Sequence, residues 1–185
     1  FAVACAYISI LPFTLASSFY PVLLVGEGFS TVATGWLLAL RALGSILAGI
    51  GLTRTVRSPT GLTVPVCCGI AIALSIPLAA ASESPWVVGF AIFVFGLASG
   101  LLSIYFQLLV SAVSTTQDRG SAISFGGLGW QASNISTPLL MGMMMDAIGL
   151  QNAFYVMGAG LMVLTVLLPP LHRWSLAGRT FAESR

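Results

Sequence analysis

The chain has 185 residues, 57% of them hydrophobic and 6% charged, with a formal net charge of +2 and a mean hydropathy of +1.01. A soluble domain carries about a quarter charged residues, so this composition cannot cover a water-facing surface and reads as an all-α integral membrane protein whose first partner is the lipid bilayer. It holds no basic patch with interleaved aromatics, which excludes nucleic acid as a partner.

Breaks in apolarity at 26–28, 54–59, 82–85, 115–120 and 146–152 leave six segments, each near the 20 residues that cross the hydrocarbon layer. The first, 2–25, carries Tyr7, Ser9, Phe13, Thr14, Ser17 and Tyr20. The second, 34–53, aligns Thr34, Leu38, Arg41, Ser45 and Ala48 at helical spacing. The third, 60–81, has almost no strong hydrogen-bonding side chain. The fourth, 86–113, sets Ser99, Ser103 and Gln107 four residues apart, and the fifth, 121–145, puts Ser124, Gly127, Gln131, Asn134 and Pro138 on one face. The sixth, 153–171, is again apolar, and 172–185 form a short polar tail. The domain expectation is therefore a six-helix membrane domain over 1–171 and a cytoplasmic tail over 172–185.

Cys5, Cys67 and Cys68 all lie in apolar runs and read as small buried hydrophobes, not as a disulfide framework or metal site. No cofactor is implied. The sequence opens on Phe1 inside an apolar run, with no initiator Met, and reads as a segment of a longer chain.

Sidedness follows from charge. Arg54, Arg57, Arg119, Arg173, Arg179 and Arg185 fall in the second and fourth loops and the tail, whereas the opposite loops hold Glu27, Glu83 and Asp146. The positive-inside rule makes the arginine side cytoplasmic, with both ends of the segment there, in the cell (inner or plasma) membrane. The order polar, polar, apolar then repeats, as two inverted three-helix repeats would give, with the third helix of each outermost. Polar stripes in lipid mark surfaces facing other helices or a watery cavity. On that basis Arg41, Ser45, Tyr7, Ser103, Gln107, Gln131 and Asn134 are the candidate cavity residues. Serine and threonine hydroxyls are read first as interhelical glue, Gln131 and Asn134 as cavity lining, and Gln107 fits both. Trp130 reads as aromatic packing.

Arg41 stands apart. It lies near the bilayer midplane, where an arginine costs about 2.5–3.5 kcal/mol on insertion scales. Its side chain cannot snorkel across roughly 15 Å of hydrocarbon. Two readings stay open: a structural arginine satisfied by helix-end carbonyls or by a carboxylate outside these residues, or an anion-binding or gating group facing the cavity.

The loop "GIGLTRTVRS" resembles the cytoplasmic signature G-x-x-x-D-R/K-x-G-R-R of the major facilitator superfamily. Gly49, Arg54 and Arg57 fit its glycine and basic positions; Thr53 stands where the aspartate belongs and Val56 where the second glycine belongs. "QDRGSA" is similar to the usual opening of that family's eleventh helix, and "PLLMGMMMDAIGLQNAFYVMGA" to its passage into the twelfth. The resemblance covers nearly the whole chain, as the C-terminal half, helices seven to twelve. It implies a cavity lined by the seventh, eighth, tenth and eleventh helices. It further implies a partner N-terminal six-helix half of the same protein, and secondary active transport of a small organic solute by alternating access. In its simplest form this is proton-coupled export, with the coupling carboxylate in the N-terminal half. A channel-like or non-transporting six-helix protein is the alternative. An intramembrane enzyme ranks last, because His172 is the only histidine and no GxSxG occurs.

Cysteines introduced at 54–59 or 115–120 should react only from the cytoplasmic side, and cysteines near Glu27, Glu83 or Asp146 only from outside. Labelling of 115–120 from outside would break the six-helix topology.

Overall fold

The computed structural model describes residues 1–52, 61–115 and 117–174, and all regular structure among them is helical. Helix α1 (Ala2–Ser18) and α2 (Tyr20–Gly26) form one span bent by 47°. The sequence reading expects an unbroken 2–25 helix. The break falls at Phe19, because Pro21 has no N–H to give and its ring crowds the preceding turn, so a new helix starts around it. Helix α3 (Thr31–Leu47) begins earlier than the expected residue 34, since Ser30 caps it by accepting the Ala33 N–H at 3.2 Å. It runs on into a π-helical turn, Ala48–Leu52. Arg54 and Arg57 lie outside the described residues. Next come α4 (Thr63–Ala81), α5 (Pro85–Val113), α6 (Arg119–Ile148) and α7 (Leu150–Val166), whose helical path continues to Trp174. Gly149 alone links α6 to α7. Its φ of +83° is a conformation that a side chain would strain.

Four of these spans are each long and apolar enough to cross a membrane, and the bent α1–α2 pair makes a fifth. Helix α6, at 30 residues, has ample length but is more polar, carrying Gln131, Asn134 and Thr137 alongside four serines. Its neighbours accommodate that polarity.

Neighbouring spans run antiparallel. At one end the rings of Phe1 and His172 meet edge to face, and the Tyr105 hydroxyl donates to the Gly61 carbonyl at 2.7 Å. At the other, Gln151 Nε2 donates to the Ala80 carbonyl at 2.9 Å. The first end holds Arg119 and Arg173; the second holds Glu27, Glu83 and Asp146, as the charge pattern requires.

The main packing pairs are α1 on α6 and α3 on α5, with α4 between α5 and α7. Within this unit α4 is better enclosed than α3, which buries little beyond the face it turns to α5. Thus the apolar third helix is less peripheral, and the polar second helix more open, than their side chains suggest.

Two helix crossings bring backbone against backbone. A Cβ on Gly44 would meet the Phe93 carbonyl and Leu97 amide, and one on Gly96 would meet the Arg41 carbonyl. Likewise a Cβ on Gly129 would meet the Val3 carbonyl and Tyr7 amide. Phe93 and Leu97 each lie 90 residues after Val3 and Tyr7, and Gly129 lies 85 after Gly44. The same 90-residue shift relates Ser9, which donates to Ala6 at 2.9 Å, to Ser99, which donates to Gly96 at 3.1 Å. One crossing is thus the inverted copy of the other, as two antiparallel three-helix repeats require. In lipid such crossings depend on small residues, since van der Waals contact replaces the hydrophobic effect as the source of helix association.

Gly96→Ala and Gly129→Ala should each destabilise by roughly 1–3 kcal/mol, read as a lower Tm in detergent. Gly160→Ala, which meets nothing within 4 Å, should change little. An unchanged Tm for Gly96→Ala would dissolve the close-crossing account.

Candidate functional site

Three polar bridges join α1 to α6. Thr14 Oγ1 donates to Asn134 Oδ1 at 2.9 Å, the Tyr7 and Ser136 hydroxyls lie 2.8 Å apart, and Trp130 Nε1 donates to the buried Ser9 Oγ at 3.1 Å. Trp130 also tilts against Phe106, with ring centroids 5.2 Å apart, which is the aromatic packing expected of it. Asn134 stays exposed even with this bond, one turn from an exposed Gln131. Of the two, Asn134 helps to hold helices together, whereas Gln131 has no hydrogen-bond partner among the described residues.

Most hydroxyls on the other stripes bond to their own helix. Ser17, Ser75, Ser99, Ser114 and Thr165 each donate to a carbonyl three or four residues back. That satisfies a donor inside hydrocarbon without another helix. Ser103 is half-buried on α5, and Gln107, one turn further on, is exposed.

The Arg41 guanidinium carbon sits 5.3 Å from the centroid of the Phe13 ring, a cation–π contact from α3 to α1. Phe13 is 51% exposed, so the pair lies on an open face of the six-helix unit. The backbone beneath is fixed, because Gly96 abuts the Arg41 carbonyl and Gly100 abuts Ser45. Neither Phe13 under the arginine nor Gly96 behind it stands among the sequence candidates. Phe13 does share its helical stripe with Ser9 and Ser17, and Gly96 stands four residues before Gly100, which is the signal each left in the sequence.

Tyr7 also lines a concavity of about 580 Å³ between α1, α6 and α7, together with Leu11, Leu140, Met157 and Leu161. That groove is almost wholly apolar, and its residues do not include Arg41, Gln131 or Asn134. The polar face is an open wall, not an enclosed pocket. Gly49 sits exposed in the π-helical turn. Among the described residues no cluster of His, Cys, Asp and Glu could hold a metal.

Paired helix crossings related by an inverted repeat, spans of membrane length and polar side chains left exposed on the spanning helices define a multi-pass α-helical membrane protein. The model of the Major Facilitator Superfamily matches residues 2–179, and the chain belongs to that family. It is accordingly a membrane transporter in general type. A comparison with curated proteins finds no match.

Asn134→Leu should lower stability by about 1 kcal/mol, since it removes the Thr14 bridge. Gln131→Leu should leave stability unchanged or raise it. Equal losses in thermal unfolding would contradict this division of labour.

Proposed function

We propose that residues 1–171 form the C-terminal six-helix half of a secondary transporter that moves a small organic solute by alternating access, with 172–185 as a cytoplasmic tail. The N-terminal half of the same protein supplies the opposite wall. The observation that carries this reading is the open face on which Arg41 and Phe13 lie, with Gln107, Gln131 and Asn134 also exposed. Polar side chains at membrane depth are retained where a second body or water meets them. Arg41, Ser45, Ser103, Gln107, Gln131 and Asn134 make up the solute-facing set, with Tyr7 beside it on α1. Gly49, Arg54 and Arg57 belong to the cytoplasmic signature loop. The arginine-bearing end faces the cytoplasm of the cell's inner or plasma membrane.

In its proton-coupled export form, the cycle takes its carboxylate from the N-terminal half. Residues 1–185 place their acids at helix ends, in loops or in the tail, and His172 near one end. Arg41 then acts on the solute or on the gate between the halves.

The test uses the full-length protein in proteoliposomes loaded with a metabolite mixture, with exchange followed by mass spectrometry. Arg41→Leu should insert normally and lose most exchange. Arg41→Lys should recover part of it, because a point charge does not reproduce the guanidinium fork. Full exchange by Arg41→Leu would remove Arg41 from the transport path.

A further inference from the structure

Arg41 is the central residue of the Thr31–Gly51 span, ten residues from either end, or about 15 Å at the helical rise. Carboxylates among the described residues are confined to helix ends and loops, at Glu27, Glu83, Asp118 and Asp146. The contact made at its own depth is with the ring of Phe13. An aromatic face attracts a guanidinium without accepting its N–H donors, five in all, as a carboxylate would. Those donors form a fork that matches the two oxygens of a carboxylate or phosphate. Ser45 lies one turn away along α3, and its backbone is held by Gly100 just as that of Arg41 is held by Gly96. The fork is therefore carried on a close helix crossing, and its donors are not consumed by any described residue. An unpaired cation at that depth is expensive, and an oxyanion brought in by the solute would offset the cost.

We propose that Arg41, oriented by Phe13, is the oxyanion-binding subsite of the solute path, so that the transported solute carries a carboxylate or phosphate group. This rests on the transporter reading above and narrows it to a substrate class. Phe13 is a positioning residue: it holds the guanidinium by a cation–π contact and does not bind the anion itself.

Ser17 is exposed, one turn from Phe13 on α1, and gives a reporter that leaves the pair intact. In the full-length protein carrying Cys67→Ser (Cys67 being the exposed native thiol), Ser17→Cys is labelled with an anionic and a cationic methanethiosulfonate of similar size. The anionic reagent should react about tenfold faster. Arg41→Gln should abolish that preference, and Arg41→Lys should keep it. Inorganic phosphate and benzoate, used as separate probes, should slow labelling saturably, and choline should not. Whichever of the two anions protects at the lower concentration identifies the group. Arg41→Lys should weaken this protection severalfold through loss of the fork, and Phe13→Leu should weaken it without removing the charge preference.

If phosphate and benzoate both leave labelling unchanged, or if Arg41→Gln keeps the charge preference, a carboxylate of the protein neutralises the arginine and the proposal falls. Neutral N-ethylmaleimide separates this from failure of the transporter reading. Labelling by it without any anion effect overturns only the oxyanion subsite. A Ser17→Cys thiol unreactive toward it from both sides of the membrane overturns the water-lined face on which both inferences stand.

Discussion

Hydrocarbon offers no hydrogen-bond partner to a backbone amide or a side-chain hydroxyl, and it supplies no hydrophobic force to press two helices together. Everything in this fold answers those two conditions. The second is met at the α3–α5 and α1–α6 crossings, where Gly44, Gly96, Gly100 and Gly129 let backbones approach closely enough for dispersion to hold them. Because one crossing is the inverted copy of the other, the same solution appears twice and positions four spans. The remaining spans attach through it, α4 against α5 and then α7 against α4.

The first condition sorts the polar groups. Hydroxyls at Ser17, Ser75, Ser99, Ser114 and Thr165 return to carbonyls of their own helices. Those at Ser9, Thr14 and Tyr7 tie α1 to the most polar helix, α6. Such bonds are worth on the order of 1 kcal/mol each, less than a good backbone crossing, so they select register along α1 and α6 more than they hold the pair together. Tyr20 shows the limit of this economy. Its ring is wedged against Phe95 and Phe154 at centroid distances of 5.7 and 4.9 Å, and its buried hydroxyl has no partner among the described residues. Packing of the ring outweighs the unmet donor beside the bend at Phe19.

Beyond these groups the polar helices carry half-buried Arg41 over Phe13 and half-buried Ser45, with Gln107, Gln131 and Asn134 exposed. Arg41 is tied to the fold from both sides, by Phe13 in front and Gly96 behind. A group whose position is fixed while its donors are unspent can serve a reversible partner, which is the physical requirement of a transport site. The groove near Tyr7 has a volume of about 580 Å³ but is lined almost wholly by apolar side chains, with little to discriminate solutes. Volume alone does not mark the functional surface in a membrane protein, because lipid fills apolar grooves without selectivity.

Composition and periodicity by themselves determined the all-α membrane class and the rough limits of the apolar spans, and pointed to a charge partition and a repeat. These depend on single-residue transfer energies summed along the chain, and such sums are local. They also singled out Arg41, since a lone charge at mid-membrane is conspicuous without any structure. Tertiary structure decided the rest. Asn134 and Gln131 look alike on one helical stripe, yet only Asn134 meets Thr14. Gly96 reads as half of a packing motif with Gly100, yet it meets the backbone of Arg41 itself. Phe13 looks like any apolar residue until α3 lays a guanidinium across it. Each of these depends on which helices meet and at what height, a property of pairs of segments more than 25 residues apart that no pattern within one segment encodes.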